Sequence, residues 1–294
     1  MARETWDVTG RVAFITGAAR GIGWESARRL HGRGMQVALV GLEPDVLDAR
    51  ARELGDSAAA FHCDVTDREQ LDAAVAGTVE RFGGVDVCIA NAGVANVGTV
   101  LTMDPEDFER VIEVNLLGVW RTVRATLPHV VERRGYVLPV ASLAAVAHAP
   151  LMAPYTATKA GVEAFADALR VEVAHTGTKV GCAYFGFIDT DMVRDSFDHP
   201  AAQATRASSP SFISKPIPLA RAGEAIERGV LHRSRVTYAP RWVGVALALR
   251  GVLQPLMEKG AIARKETQEA IRRAEEDAAA AERHPSSRVP ARGR

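Results

Sequence analysis

Seven short apolar runs, each separated from the next by a segment long enough for a helix, restrict this chain more than any other feature. They lie at residues 12–16, 36–42, 59–63, 85–90, 136–141, 180–185 and 235–239. Several are apolar at consecutive positions, as in Val85-Asp86-Val87-Cys88-Ile89-Ala90. A strand with one wet face alternates apolar and polar residues; a strand covered on both faces does not. Helical segments at 21–32, 44–54, 66–82, 105–134, 154–176 and 222–233 supply the covers. Right-handed crossovers then give an α/β fold: a doubly wound, parallel, seven-stranded sheet in a Rossmann-like three-layer sandwich.

Local signals sharpen the boundaries. Gly32-Arg33-Gly34 predicts a helix C-terminus, and Pro44 suits a first helical turn. Thr66-Asp67-Arg68-Glu69 has the pattern of a capping box. The 105–134 segment is long enough to predict a break near Pro128. Residues 187–220, with Pro200, Pro210, Pro216 and Pro218, show little periodicity and read as a substrate loop or lid. Residues 1–258 are therefore taken as a single catalytic domain, and 259–294 as a charged C-terminal helix and tail. The 263–283 stretch is rich in Ala, Arg and Glu; the basic, Pro-containing 284–294 reads as a disordered tail.

Charge excludes one broad class. Of 294 residues, 36 are Lys or Arg and 36 are Asp or Glu, so there is no overall basic field for nucleic acid. The first residues, Met1-Ala2-Arg3-Glu4, lack the apolar centre of a signal peptide, and no uninterrupted run is long enough to span a membrane. Cys63, Cys88 and Cys182 lie in apolar runs without metal-ligand spacing, so no metal is expected. Buried free thiols fit a reducing cytoplasm.

The chemistry begins at residues 12–23, Val-Ala-Phe-Ile-Thr-Gly-Ala-Ala-Arg-Gly-Ile-Gly. A strand runs into Gly17, Gly21 and Gly23, and a helix follows. Glycine permits the turn and close backbone approach, and the helix N-terminus offers N–H groups to a pyrophosphate. Downstream, Tyr155 and Lys159 are four residues apart on one helix face, and Ser142 ends an apolar strand thirteen residues before Tyr155. A free tyrosine titrates near about 10, and an adjacent ammonium would stabilise its phenolate.

Thr16-Gly17-Ala18-Ala19-Arg20-Gly21-Ile22-Gly23 resembles the T-G-x-x-x-G-I-G turn of the short-chain dehydrogenase/reductase family, in its single-domain branch. Asp64-Val65, Asn91-Ala92-Gly93, Asn115, Ser142 and Tyr155-x-x-x-Lys159 follow in the family's order, so the likeness extends over about residues 8–240. It implies hydride transfer between a nicotinamide cofactor and a secondary alcohol or ketone. It assigns proton transfer to Tyr155, a substrate hydrogen bond to Ser142, phenol activation and a ribose contact to Lys159, and a relay water to Asn115. It places Gly17, Arg20, Gly21, Ile22, Gly23, Asp64, Val65, Asn91, Ala92, Gly93, Gly186, Ile188 and Thr190 against the cofactor, with Asp64 on the adenine. Phe185-Gly186-Phe187-Ile188-Asp189-Thr190 departs from the family's P-G-x-I-x-T by carrying Phe185 in place of proline.

The second strand ends Val40-Gly41-Leu42-Glu43, where an acid favours NAD and a base favours NADP. Gly41 stands where the family's acid usually does. Glu43 speaks for NAD and Arg20 for NADP; the balance leans to NAD. The cleft walls Ala144, Val146, His148 and Met152, with Met192, Val193, Phe197, Phe212 and Ile213 of the loop, suggest an apolar substrate. A 3-oxoacyl thioester (acyl-carrier) reductase is the alternative, although Val236-Thr237-Tyr238-Ala239-Pro240 differs from the usual strand ending of those enzymes. A non-catalytic dinucleotide sensor or scaffold is a further alternative. The family likeness implies a homodimer or homotetramer through the helices near 105–134 and 154–176. The apolar 242–257 segment could be a second interface, a lid or a membrane contact; packing within the domain or on a sister subunit is preferred.

Overall fold

The computed structural model describes residues 5–198 and 214–283. Pro200, Pro210, Phe212 and Ile213 of the expected lid, and the 284–294 tail, lie outside the described residues.

Alternating strands and helices come in the order β1 (Val12–Thr16), α1 (Gly21–His31), β2 (Gln36–Gly41), α2 (Pro44–Leu54), β3 (Ala58–His62), α3 (Arg68–Phe82), β4 (Val87–Ala90), α4 (Pro105–Ile112), α5 (Gly118–Glu132), β5 (Tyr136–Pro139), α6 (Ala153–Glu172), β6 (Lys179–Val180), β7 (Cys182–Phe185), α7 (Asp191–Asp198), α8 (Leu219–Leu231), β8 (Val236–Ala239), α9 (Arg241–Ala263) and α10 (Lys265–Arg283). All strand pairs are parallel, in the order β3-β2-β1-β4-β5-β6, with β7 beside β8. A bridge from Val140 to Ala183 joins β7 to the end of β5, so β6 and β7 share one position and the sheet has seven. Gly181 interrupts that position because Tyr136 fills the space: a Cβ at Gly181 would stand 2.1 Å from the Tyr136 hydroxyl.

Two cores form, one on each face. Phe14, Cys88 and Val137 point to the side covered by α3, α5 and α6. Ile15, Ile89 and Leu138 point to the side covered by α1, α2 and α8. Each such buried side chain contributes about 1.5–3 kcal/mol. The double cover is why the strands read as continuous apolar runs.

Several features differ from the sequence reading. The cap of α3 is Asp67, not Thr66: its carboxylate accepts from the backbone N–H groups of Glu69 and Gln70. After α1 it is Gly34, with φ of +82°, that takes the left-handed conformation, while Gly32 stays helical. The long 105–134 segment does not break at Pro128, which lies inside α5. It widens at Glu113–Leu117 into a π-helical turn, closed from the Gly118 N–H to the Glu113 carbonyl. The 187–220 segment holds α7, which its weak periodicity hid. One helix, α9, runs across residue 258, where the sequence reading ended the catalytic unit.

Asp86 pins the sheet's starting edge. Its buried carboxylate accepts from Arg11 at 2.8 Å, from the Val12 N–H at 3.0 Å and from Arg133 at 3.3 Å. Removing the carboxylate orphans the buried Val12 N–H and takes one partner from each of two guanidinium groups. Asp86→Ala is expected to lower the unfolding free energy by about 3 kcal/mol, measured by equilibrium urea denaturation, with Asp86→Asn losing less.

Candidate active site

At the C-terminal edge of the sheet, β1 leads on to β2 on one side while β4 leads on to β5 on the other. That reversal of strand order between β1 and β4 is the point at which a sheet of this kind forms its crevice. The glycine turn lies across it. Gly17 and Gly21 have φ of +65° and +56°, a region that side chains disfavour. Gly23 sits so close that a Cβ would lie 2.2 Å from the Gly17 carbonyl oxygen. Arg20, the N-cap of α1, makes no side-chain cap, which leaves the first-turn N–H groups for an incoming acceptor. This uncapped, side-chain-free cradle fits a pyrophosphate.

Asn91 and Thr16 tie the crevice walls together. The Thr16 hydroxyl accepts from the N–H groups of Asn91 and Ala92 at 3.1 and 3.2 Å. The Asn91 amide donates to the carbonyls of Thr16 and Gly17 at 3.0 and 3.3 Å. The Asn91 side chain is therefore spent on the fold, and its expected service to the cofactor is to hold the glycine turn. Thr16, which the sequence reading passed over, is half of this junction; a polar residue ending a fully buried strand was the available signal.

The two residues weighed against each other for cofactor choice form one pair. An Arg20 guanidinium nitrogen lies 2.5 Å from a Glu43 carboxylate oxygen. The other Glu43 oxygen lies 3.7 Å from where a Cβ on Gly41 would be, so the carboxylate folds back toward the missing acid's place. Asp64 holds Thr66 in a turn through the Thr66 N–H and hydroxyl, both at 2.8 Å, and faces Arg110 at 3.6 Å. Although partial burial works the other way, the Thr66 hydrogen bonds, helped by Arg110, hold this carboxyl below its ordinary range. Val65, buried, packs against Gly118 at the close of the π-helical turn.

Tyr155 and Lys159 stand on α6. The Lys159 ammonium is buried, donates to the Val140 carbonyl at 2.9 Å and lies 5.5 Å from the centre of the Tyr155 ring. Burial pushes its pKa down to about 8. Burial also raises the Tyr155 phenol above its ordinary range, and the Ser142 hydroxyl bonded to it counters part of that rise. Desolvation thus sets the direction for the phenol, opposite to the lowering that the spacing led one to expect. Ser142 is buried, lies 3.4 Å from the Phe185 carbonyl and accepts from the Ala144 N–H at 3.1 Å. Asn115, in the π-helical turn, is clamped both ways to the Val94 backbone, each bond 2.8 Å. Gly93 lies between them: a Cβ there would be 3.1 Å from the Asn115 amide oxygen and 3.7 Å from the Lys159 nitrogen.

The remaining candidates fall around the same crevice. Phe185 continues β7 and is buried, which explains how it replaces proline. Gly186 packs beside Pro240 and Trp242, and Ile188 is buried and bridged to Ile217. Thr190 stands opposite the glycine turn, its methyl 3.6 Å from a Cβ position on Gly21. Ile22 and Ala92 pack on the two cores. The segment between β5 and α6 is held from outside: the His148 N–H donates to the Gln254 side-chain oxygen of α9 at 3.0 Å. Leu151 and Val97 cluster with Ile271 and Ala274 of α10. Gln254 carried no signal in the sequence, since it lies more than a hundred residues from its partner.

A model of the short chain dehydrogenase family matches residues 11–201. Nodulation protein G of Rhizobium sp. (strain N33) is 34% identical over 207 residues, covering 70% of this chain and 84% of that one. A 3-oxoacyl-[acyl-carrier-protein] reductase of Vibrio cholerae is 32% identical over 206 residues, covering 70% and 84%. The crystal structure of a 3-ketoacyl-(acyl-carrier-protein) reductase from Brucella melitensis complexed with NADH superposes with a TM-score of 0.70 at 27% identity, covering 79% of this chain and 97% of that one.

The tight seat of Gly23 gives a direct test of the cradle. Gly23→Ala must displace the Gly17 carbonyl, so dinucleotide affinity is expected to fall at least about tenfold. Titration of NADH fluorescence checks this, with circular dichroism confirming that the variant folds.

Proposed function

Because the chain belongs to the short-chain dehydrogenase/reductase family and is an NAD(P)-dependent oxidoreductase, we propose that it interconverts an apolar secondary alcohol and its ketone with Tyr155 as the general acid/base. The observation that carries this reading is the meeting of the Ser142 hydroxyl with the Tyr155 phenol, and of the Tyr155 ring with the Lys159 ammonium, which itself stands beside Gly93. Bound in that crevice, a nicotinamide cofactor supplies or accepts the hydride. Gly17, Gly21, Ile22 and Gly23 would hold its phosphates, Asp64 and Val65 its adenine, and Ala92, Gly93, Gly186, Ile188 and Thr190 its nicotinamide half.

The chain's own groups then handle orientation and the proton. Ser142 bonds the reacting oxygen. Tyr155 gives that oxygen a proton in reduction and takes it in oxidation. Lys159, anchored on Val140, steadies the phenolate and the ribose; Asn115 holds the Val94 loop and the end of the proton relay. The apolar walls Ala144, Val146 and Met152 favour a substrate with little charge near the reacting carbon. A 3-oxoacyl thioester is the second reading, favoured by the reductases among the similar proteins.

The cofactor is NAD in this reading. Glu43 presents negative charge beside Gly41 and occupies Arg20, the one group in the turn suited to a 2′-phosphate. The buried free thiols Cys63, Cys88 and Cys182 support a cytoplasmic setting. No helix among the described residues is long and apolar enough to cross a membrane. The assembly is proposed as a homodimer or homotetramer.

Three outcomes test the reading. Tyr155→Phe should fold and bind NADH yet lose about 10²–10⁴-fold in turnover of a responsive ketone. Because the phenol's pKa is raised, its proton is retained at neutral pH: reduction should be fastest there and fall in alkali, while alcohol oxidation should climb with pH, as paired pH-rate profiles will show. The ratio of kcat/KM for NAD over NADP should exceed about tenfold, and Glu43→Gln should shrink it by releasing Arg20.

A further inference from the structure

The longest array of exposed large apolar side chains lies on α9, beyond the family match. Val245, Leu249, Val252, Leu256 and Ile262 each leave between 49% and 65% of their surface in solvent. Ala248, Pro255 and Ala263, also exposed, fill the spaces between them, so this arc carries one charge, Lys259, over roughly five turns. A helix face in water ordinarily carries several charged residues. The opposite face of α9 is already used, with Val243 buried and Trp242 and Leu247 packed on the core.

We propose that this arc pairs with the same arc of a second copy of the chain, α9 against α9, antiparallel across a two-fold axis. Three features select that occupant. The five large residues expose on the order of 500 Å² of apolar side chain per copy, most of the roughly 800 Å² that a stable interface takes from each partner, before the small residues are added. The spacing of Val245, Leu249, Val252 and Leu256, in steps of four, three and four, is that of a seam on which two helices interlock. The seam is also self-complementary, as a two-fold contact requires. An axis between Arg250 and Gly251 sets Val245 opposite Leu256 and Leu249 opposite Val252. Arg250 turns away from the seam to Glu163 of α6, with both contacts at 2.7 Å.

This pairing does not rest on the proposed chemistry, and NADH binding reports on the catalytic crevice separately. Sedimentation velocity on the full-length chain should show an even-numbered assembly. The double variant Leu249→Glu, Val252→Glu should halve its mass while NADH affinity and melting temperature stay within error. Leu249→Cys combined with Val252→Cys, which the register sets opposite each other across the axis, should give a disulfide-linked dimer on mild copper-phenanthroline oxidation, against a low background because the three native thiols are buried. A monomeric wild type, a double variant of unchanged mass, or a failed cross-link would overturn the pairing. Monomers that float with phosphatidylglycerol vesicles would assign the face to a bilayer instead.

Discussion

Where β1 and β4 leave the sheet side by side, their last peptide groups run out of ladder partners in a buried place. An unpaired N–H or carbonyl there would cost about 1–3 kcal/mol. Thr16 and Asn91 remove that cost between them, four hydrogen bonds closing the gap from strand end to strand end. The same bonds fix the Gly17 carbonyl, against which Gly23 is seated, and so set the shape of the phosphate cradle. The line continues through Gly93 to Asn115 and Lys159, because the loop leaving Asn91 runs directly under both. The active site is thus an outgrowth of one solved hydrogen-bonding problem at the switch point of the sheet.

The fold was legible because double burial writes itself into sequence. Runs such as 85–90 have no wet face to encode, and each run overlaps a strand of the sheet. The cradle and the Tyr155–Lys159 pair were legible because both are local: a few residues of turn, one turn of helix. What stayed hidden was long-range or conformational. The Arg20–Glu43 ion pair spans two βα loops, so the two residues read as rivals when they are partners. For Asn91 the sequence left a cofactor contact and a structural role side by side, because the carbonyls of Thr16 and Gly17 that its amide reaches lie 75 and 74 residues away. Burial of Tyr155 reversed the direction of its shift, which spacing alone does not reveal.

The long central helix shows how a backbone irregularity serves position. Pro128 seemed the natural point of failure, yet its missing N–H is tolerated within α5. The widened turn falls instead at Glu113–Leu117, and it carries Asn115. There the side chain reaches across to both polar groups of Val94, a reach that regular winding would have directed elsewhere. The π-helical turn therefore belongs to the site, since it holds the 91–94 loop beneath Lys159.

The last two helices are seated by Val243, Trp242 and Leu247 on the core and by Arg250 on Glu163, and two further contacts fall beside the site. Gln254 grips the peptide of His148, and Ile271 with Ala274 press on Leu151 and Val97. None of Ser142, Tyr155 or Lys159 is among the contacts. A change in how these two helices pack would therefore reach the 148–151 segment before it reached the groups that move the proton.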